Sequence, residues 1–426
     1  MAWLRKRDMT FPRFPLVLLL AALPLAAQTS PRPTLEGALL DARAPIVLAA
    51  GQFSGPGAQV LSEAVAQSRF LLLGEDHVTR EIPEFAAAVC DLMHPDAYAV
   101  EAGPGAAAFV NTLLRSPDRI QRMAHRLQDF PNNMAFLDIR DENDLAAHCA
   151  AASKNPHFEL WGLDQEFVGS AGVLLNDLLA TRPGPASRAA VVAAQLQESA
   201  ASHGARETGD PGRLYLLASS DSDMNALEQA IAKDGNAATA NLLHELTISR
   251  TIYRLNATGS PDSNSIRANL LKQHFIADYA AAKARTPQPR VLFKFGDDHL
   301  GKGFNVLHQR DLGNFVAEFA EGEGAQSLHI LVLGARGTHA LFQGYAKPLA
   351  HEPFVMTDDP EYKWLAPAVA DLLPQQPGVS GNALTLFDLR KLRFRGINLP
   401  PNWERIVYAY DLLVLIPDIT PAAQIE

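Results

Sequence analysis

The chain has little cysteine and no surplus of positive charge. Two cysteines in 426 residues exclude a disulfide-framed fold and a four-cysteine zinc site. Lysine plus arginine number 37 against 47 aspartate plus glutamate, a net charge of −10, so no basic face is on offer to nucleic acid. Several chemical signatures are missing too. No GxSxG elbow stands at a strand end, which argues against a serine-histidine-aspartate hydrolase. No HExxH motif sets two metal-binding histidines on one helix face, and Gly301-Lys302-Gly303 lacks the spacing of a Walker loop. Neither a repeat of solenoid period nor a low-complexity tract is present. With 47% hydrophobic and 20% charged residues, the composition is globular, not disordered or multi-span.

The long hydrophobic run stands at the start. Arg5, Lys6, Arg7 and Arg13 precede an apolar stretch at 14–27, and the small residues Ala26 and Ala27 suit a cleavage site. The run is short for a bilayer span, which needs roughly 20 apolar residues, and Pro24 interrupts it. Residues 1–27 are therefore expected to be a signal peptide and 28–426 a single exported domain, periplasmic or secreted from a bacterium, with no membrane span in the mature chain. An oxidising compartment would allow a Cys90–Cys149 bridge; two buried thiols are the equal alternative.

From residue 69 short apolar runs alternate with helix-like stretches, the pattern of an α/β fold with a mainly parallel central sheet flanked by helices. Strands are expected at 69–74, 97–101, 158–162, 290–295, 328–333 and 405–416. They are apolar on both faces, as strands covered on both sides are. Between the third and fourth lies a large helical insertion, about 171–286, with helices expected at 174–180, 186–202, 214–255 and 265–284, a lid or substrate wall. The stretch 116–144, containing Pro131-Asn132-Asn133, reads as irregular and placed to line a site. Segments 322–324 and 374–381 read as surface loops.

Chemistry collects at four strand ends. The first ends in Gly74-Glu75-Asp76-His77, the second in Glu101-Ala102-Gly103, the third in Gly162-Leu163-Asp164-Gln165-Glu166, and the fourth in Gly296-Asp297-Asp298-His299. Parallel strands bring these ends to one edge, where α/β proteins place ligands. Any one Asp there is ordinarily a helix N-cap; four ends together point to a functional site. Two histidines with several acids suit either a neutral imidazole acting on water beside an orienting carboxylate, or a divalent metal with an acidified water. Arg267 reads as a clamp for a substrate carboxylate or for the acids, or as a solvated helix face. Lys294, inside the fourth strand, is a lesser candidate.

These motifs resemble the superfamily of erythromycin esterases, Tiki-type and TraB-type proteins and ChaN-like haem-binding proteins. The resemblance is carried by Gly74-Glu75-Asp76-His77, Glu101-Ala102, Trp161-Gly162-Leu163-Asp164-Gln165, Arg267 ahead of His274-Phe275, Gly296-Asp297-Asp298-His299-Leu300-Gly301, and Tyr410-Asp411 through Thr420-Pro421. It spans roughly residues 45 to 421. The chain has one residue fewer between the Glu and the His of the first motif than the esterases. It also has Asp297-Asp298-His299 where they have His-Asn-x-His, which is closer to the Tiki form. The resemblance implies a hydrolase acting on an ester or amide of a small molecule or peptide, with His77, Glu75, Glu101 and His299 catalytic and Arg267 and Asp164 at the substrate. A divalent metal (Zn, Mn or Co) would take His77, Asp76, Glu101, Asp298 and His299. The ChaN-like side implies a haem or iron carrier instead, for which Tyr98, Tyr408 and Tyr410, read as strand-core aromatics, are the axial candidates. A non-catalytic interaction module is the third reading.

Overall fold

The computed structural model describes residues 34–370, 383–393 and 396–426. The expected leader at 1–27 and loop at 374–381 lie outside the described residues. Ten strands form one sheet: β1 Arg43–Ala49, β2 Gln52–Ser54, β3 Phe70–Glu75, β4 Ala97–Val100, β5 Glu159–Gly162, β6 Val291–Gly296, β7 Ser327–Leu341, β8 Ala350–Val355, β9 Ala383–Asp388 and β10 Leu412–Ile419. Their order is β2-β1-β9-β10-β7-β3-β6-β4-β5, with β8 attached to β7. The six from β10 to β5 are parallel. β1, β2 and β9 extend one flank in antiparallel pairs, and β8 runs antiparallel to β7.

The period of two along each strand sorts the side chains into two cores. Leu71 and Leu73 of β3, Tyr98 and Val100 of β4 and Leu292 of β6 join one face, where Phe85, Val89 and Leu145 of the covering helices pack. Phe70 and Leu72, Ala97 and Ala99, and Phe293 and Phe295 join the other, against Leu271, Phe275 and Tyr279 of helix Asp262–Lys283 and Val316 and Ala320 of helix Leu312–Gly322. Burying each such Phe or Leu stabilises the fold by roughly 1.5–3 kcal/mol. Lys294 falls on the first face by the same alternation.

The insertion between β5 and β6 is helical, as expected, and has a core of its own around Leu174, Leu178, Val191, Leu227 and Leu246. The single helix expected at 214–255 is three: Tyr215–Ala218, Asp221–Asp234 and Ala237–Ala257. Ser220 and Asn236 make the breaks, each accepting from the backbone N–H three residues on, the N-cap bond that starts a new helix. The strand expected at 405–416 begins late. Helix Pro401–Ala409 occupies its first part, with Pro401 in the first turn and Trp403, Ile406 and Val407 buried at helical spacing. Tyr408 is consequently an exposed helix residue, whereas Tyr98 and Tyr410 are buried. The stretch 116–144 is less irregular than its sequence suggests, since it contains helix Arg119–Asp129.

Cys90 and Cys149 are bonded to each other, joining helices Glu81–Met93 and Arg140–Ala152. Among the described residues no helix is long and apolar enough to cross a membrane.

Candidate functional site

The parallel register places Glu75, the last residue of β3, level with Gly296, the last of β6. His77 follows in a backbone turn that costs strain: Val78 has φ 68°, a conformation that β-branched residues avoid. The Val78 carbonyl accepts from the N–H groups of Ala340 and Ala422, which hold the turn in place. Strain maintained in this way is characteristic of functional turns. The His77 ring is fixed from three sides. Nδ1 lies 2.9 Å from Glu75 Oε1, Nε2 lies 3.3 Å from Glu101 Oε2, and Phe136 stacks on the ring at 4.1 Å between centroids. Phe136 itself has φ 56°, a second bulky residue in the left-handed region. Burial alone would depress the imidazole, but Glu101 and Glu75 outweigh it and push His77 up to about 10.

Glu101 is the hub. Its Oε2 accepts from the Gly296 N–H at 2.7 Å, and its Oε1 accepts from Arg267 Nη2 at 2.7 Å. His299 Nε2 stands 3.5 Å from Oε1. Burial opposes its charge, yet His299, His77 and Arg267 hold it well below the usual carboxylate range. Gly296 is required by close approach: a Cβ there would lie 2.8 Å from His77 Nε2. Arg267 comes from the first turns of helix Asp262–Lys283, the last helix of the insertion, and also binds Asp164 through Nε (2.9 Å) and Nη2. The insertion therefore supplies the guanidinium, and β5 leads into the carboxylate that aims it.

His299 sits in the short helix Asp297–Leu300, with Nδ1 2.9 Å from Asp311 Oδ2. Burial and Arg267 oppose its protonation, but Glu101 and Asp311 prevail and its pKa is raised. Asp311 caps helix Leu312–Gly322 through its other oxygen, 2.7 Å from the Leu312 N–H. Its sequence signal was that of an ordinary N-cap, and nothing local marked it as the partner of a histidine. The turn holding Asp297 is tied down by the Tyr410 hydroxyl, which donates to the Asp297 carbonyl across Gly74, where a Cβ would lie 2.5 Å from that hydroxyl.

Beneath His77 lies a buried ion cluster. Lys294 Nζ donates to Glu75 Oε1 and, at 2.6 Å, to Glu142 Oε1. Burial pushes Glu142 up to about 7 in spite of Lys294, while Glu75, which burial would raise, is lowered by Lys294 and His77. The stretch 116–144 thus lines the site at two points, Phe136 above His77 and Glu142 below Glu75.

Seven of the residues singled out from sequence converge: Glu75, His77, Glu101, Asp164, Arg267, Lys294 and His299. Asp76 and Asp298 do not join them. The Asp76 carboxylate faces His339 at 3.9 Å; Asp298 accepts from Asn305 through its backbone carbonyl, and its carboxyl, pushed up by burial, meets His299 and Glu101 through their charge. Among the described residues no group of three or more His, Cys, Asp or Glu is gathered as a metal centre. Both Glu101 oxygens already accept from N–H donors, and the Arg267 cation stands where a second cation would be repelled. The donor set does not fit a divalent metal.

No family model and no curated protein matches the chain in sequence. Its fold does have solved counterparts. A mutant of erythromycin esterase EreC in its open conformation superposes with TM-score 0.57 at 13% identity, covering 86% of this chain and 95% of that one. A succinoglycan biosynthesis protein gives 0.55 at 12%, covering 92% and 98%. A Bacillus cereus protein gives 0.52 at 11%, covering 86% and 92%. The chain has the erythromycin-esterase-like fold over nearly its whole described length, as the motif resemblance implied.

Proposed function

We propose that the chain is a metal-independent hydrolase that adds water to the carbonyl of an ester. The observation that carries this reading is the state of His77. It is held at Nδ1 by the buried Glu75 carboxylate, directed at Nε2 toward Glu101, whose other oxygen meets Arg267 and His299, and left with 26% of its side chain exposed. In its neutral form His77 takes a proton from water on Nε2, and the hydroxide oxygen bonds to the carbonyl carbon. Glu75 holds the Nδ1 proton and stabilises the imidazolium that forms. Arg267 and protonated His299, both anchored on Glu101, face the negative charge that develops on the carbonyl oxygen. Collapse of the tetrahedral intermediate breaks the bond to the alcohol oxygen, which takes the proton back from His77. A carboxylic acid and an alcohol leave.

The same reading includes export. The basic start and apolar run at 1–27 are one support, and the paired cysteines are another.

The test is direct. Purified protein is offered a panel of simple carboxylic esters and lactones, with and without a chelator. Turnover that survives the chelator and is lost in His77→Asn is the expected result. Stoichiometric zinc, manganese or cobalt whose removal stops turnover would overturn the metal-free mechanism, and no hydrolysis across the panel would overturn the function.

A further inference from the structure

One aromatic ring beyond His77, past Phe136, is a cavity of about 220 Å³ lined by Asn132, Phe167, Val168, Pro211, Phe342, Gly344 and Tyr345. Its wall is almost wholly apolar, in contrast to the charged cluster around His77. Aromatic rings join the two. Phe136, stacked on His77, meets Phe342 at 6.4 Å between centroids, and Phe342 meets Phe167 at 6.1 Å. Phe342 stays 39% exposed, so the rim of the cavity is open.

The walls come from different parts of the fold and are clasped together. Pro211 belongs to the insertion, Phe342 and Tyr345 to the loop after β7, and Asn132 to the segment before Phe136. The Asn132 carbonyl accepts from the Gly169 N–H at 3.1 Å, and its side-chain oxygen accepts from the Ala346 N–H at 2.8 Å. The Tyr345 N–H donates to the Gly209 carbonyl at 3.2 Å. That approach needs Gly344, which has φ 128° and where a Cβ would stand 2.5 Å from the Gly209 oxygen. A wall held by such bonds is formed before any ligand arrives, which lowers the cost of binding.

We propose that this cavity is a specificity subsite that receives the apolar arm, alkyl or phenylalkyl, of the ester whose carbonyl is presented to His77. The proposal rests on the hydrolase reading for the identity of the reacting group. It rests on the cavity, its apolar wall and the continuous aromatic path for the arm. A charged or sugar-like arm would leave its polar groups unpaired against Phe167, Val168 and Phe342.

The experiment has a kinetic arm and a binding arm. In the first, kcat/KM is measured for two ester series, one lengthened on the acyl side and one on the alcohol side. In one of them each added methylene is expected to raise kcat/KM about fourfold until the cavity is filled, which also says which side of the ester enters. Val168→Trp, which fills the space, and Phe342→Ala, at an exposed position with little risk to folding, should each flatten that slope. In the second arm, calorimetry follows 3-phenylpropanamide and acetamide binding to His77→Asn. The phenyl amide alone is expected to bind, and adding Val168→Trp should abolish it.

If no ester is hydrolysed yet the phenyl amide binds in a Val168-dependent way, the hydrolase reading fails and the subsite stands. If esters are hydrolysed with no dependence on arm length in either series, and the amide does not bind, the subsite is overturned while the hydrolase stands.

Discussion

His77 and His299 occupy the ends of neighbouring parallel strands, β3 and β6, and at first sight they are built alike. Each has a carboxylate 2.9 Å from Nδ1, and each turns Nε2 toward Glu101. They differ in access and in foundation. His77 keeps 26% of its side chain exposed and His299 only 9%. His77 leans on Glu75, which is itself pinned by buried Lys294, whereas the partner of His299 is a helix cap at Asp311. Under the proposed hydrolysis the same imidazole–carboxylate pair would serve two ends: a proton carrier at the opening, and a supporting group behind it.

If that division is right, the two histidines fail differently. His77→Asn should lower kcat by about 10²–10⁴-fold. His299→Asn removes one charge-assisted contact worth about 1.5–3 kcal/mol, and its loss should stay near 10–100-fold. Circular dichroism and melting of both variants would establish that each is folded. Equal losses in the two folded variants would erase the distinction between carrier and support.

The foundations separate next. Lys294→Met leaves Glu75 and Glu142 buried without their cation, and breaking a buried pair in this way costs about 3–5 kcal/mol. Asp311→Asn, which keeps a capping oxygen, should cost about 1 kcal/mol or less. Chemical denaturation with an unchanged m-value reads both. A Lys294→Met protein as stable as the parent would mean that the cluster beneath His77 is no foundation.

These contrasts also show what could be seen in the sequence. The edge that carries the site was legible because β3, β4, β5 and β6 are continuous apolar runs that stop abruptly at an acid or at Gly-Asp-Asp-His. β1, β2, β8 and β9 were not. β2 has only three residues, β1 and β8 contain Pro45 and Pro353, and β8 exposes most of its residues, so no buried run announces these three; β9 is buried from Leu384 to Asp388, but Thr385 and Asp388 break up its apolar residues. Lys294 was visible but undervalued, because its partner Glu142 arrives from a helix far away in the chain and only packing reveals the pairing. Phe136 carries no signal, since its value lies in a left-handed backbone that no residue preference would suggest. The second half of the helix at 401–409 reads as the start of the following strand because only four residues separate Ile406 and Val407 from the apolar run of β10, with no Gly or Pro between.

The smallest effect expected is the displacement of a pH limb, and it bears most directly on which histidine moves the proton. Only neutral His77 can accept from water, and flanking Glu101 and Glu75 raise it to about 10. Below that pH, kcat/KM should climb about tenfold per unit as the neutral fraction grows. Stability runs the other way. The pKa is raised on folding from an ordinary 6.5, so the contribution of this site is complete below about 6.5, declines above it, and is lost as pH rises through about 10. Glu101→Gln removes a charge beside Nε2 and must lower the His77 pKa, moving the activity limb toward acid even if the plateau falls. Asp311→Asn removes a charge beside His299 alone and should leave the limb in place. A limb that follows Asp311 and ignores Glu101 would transfer the proton-carrying role to the buried histidine.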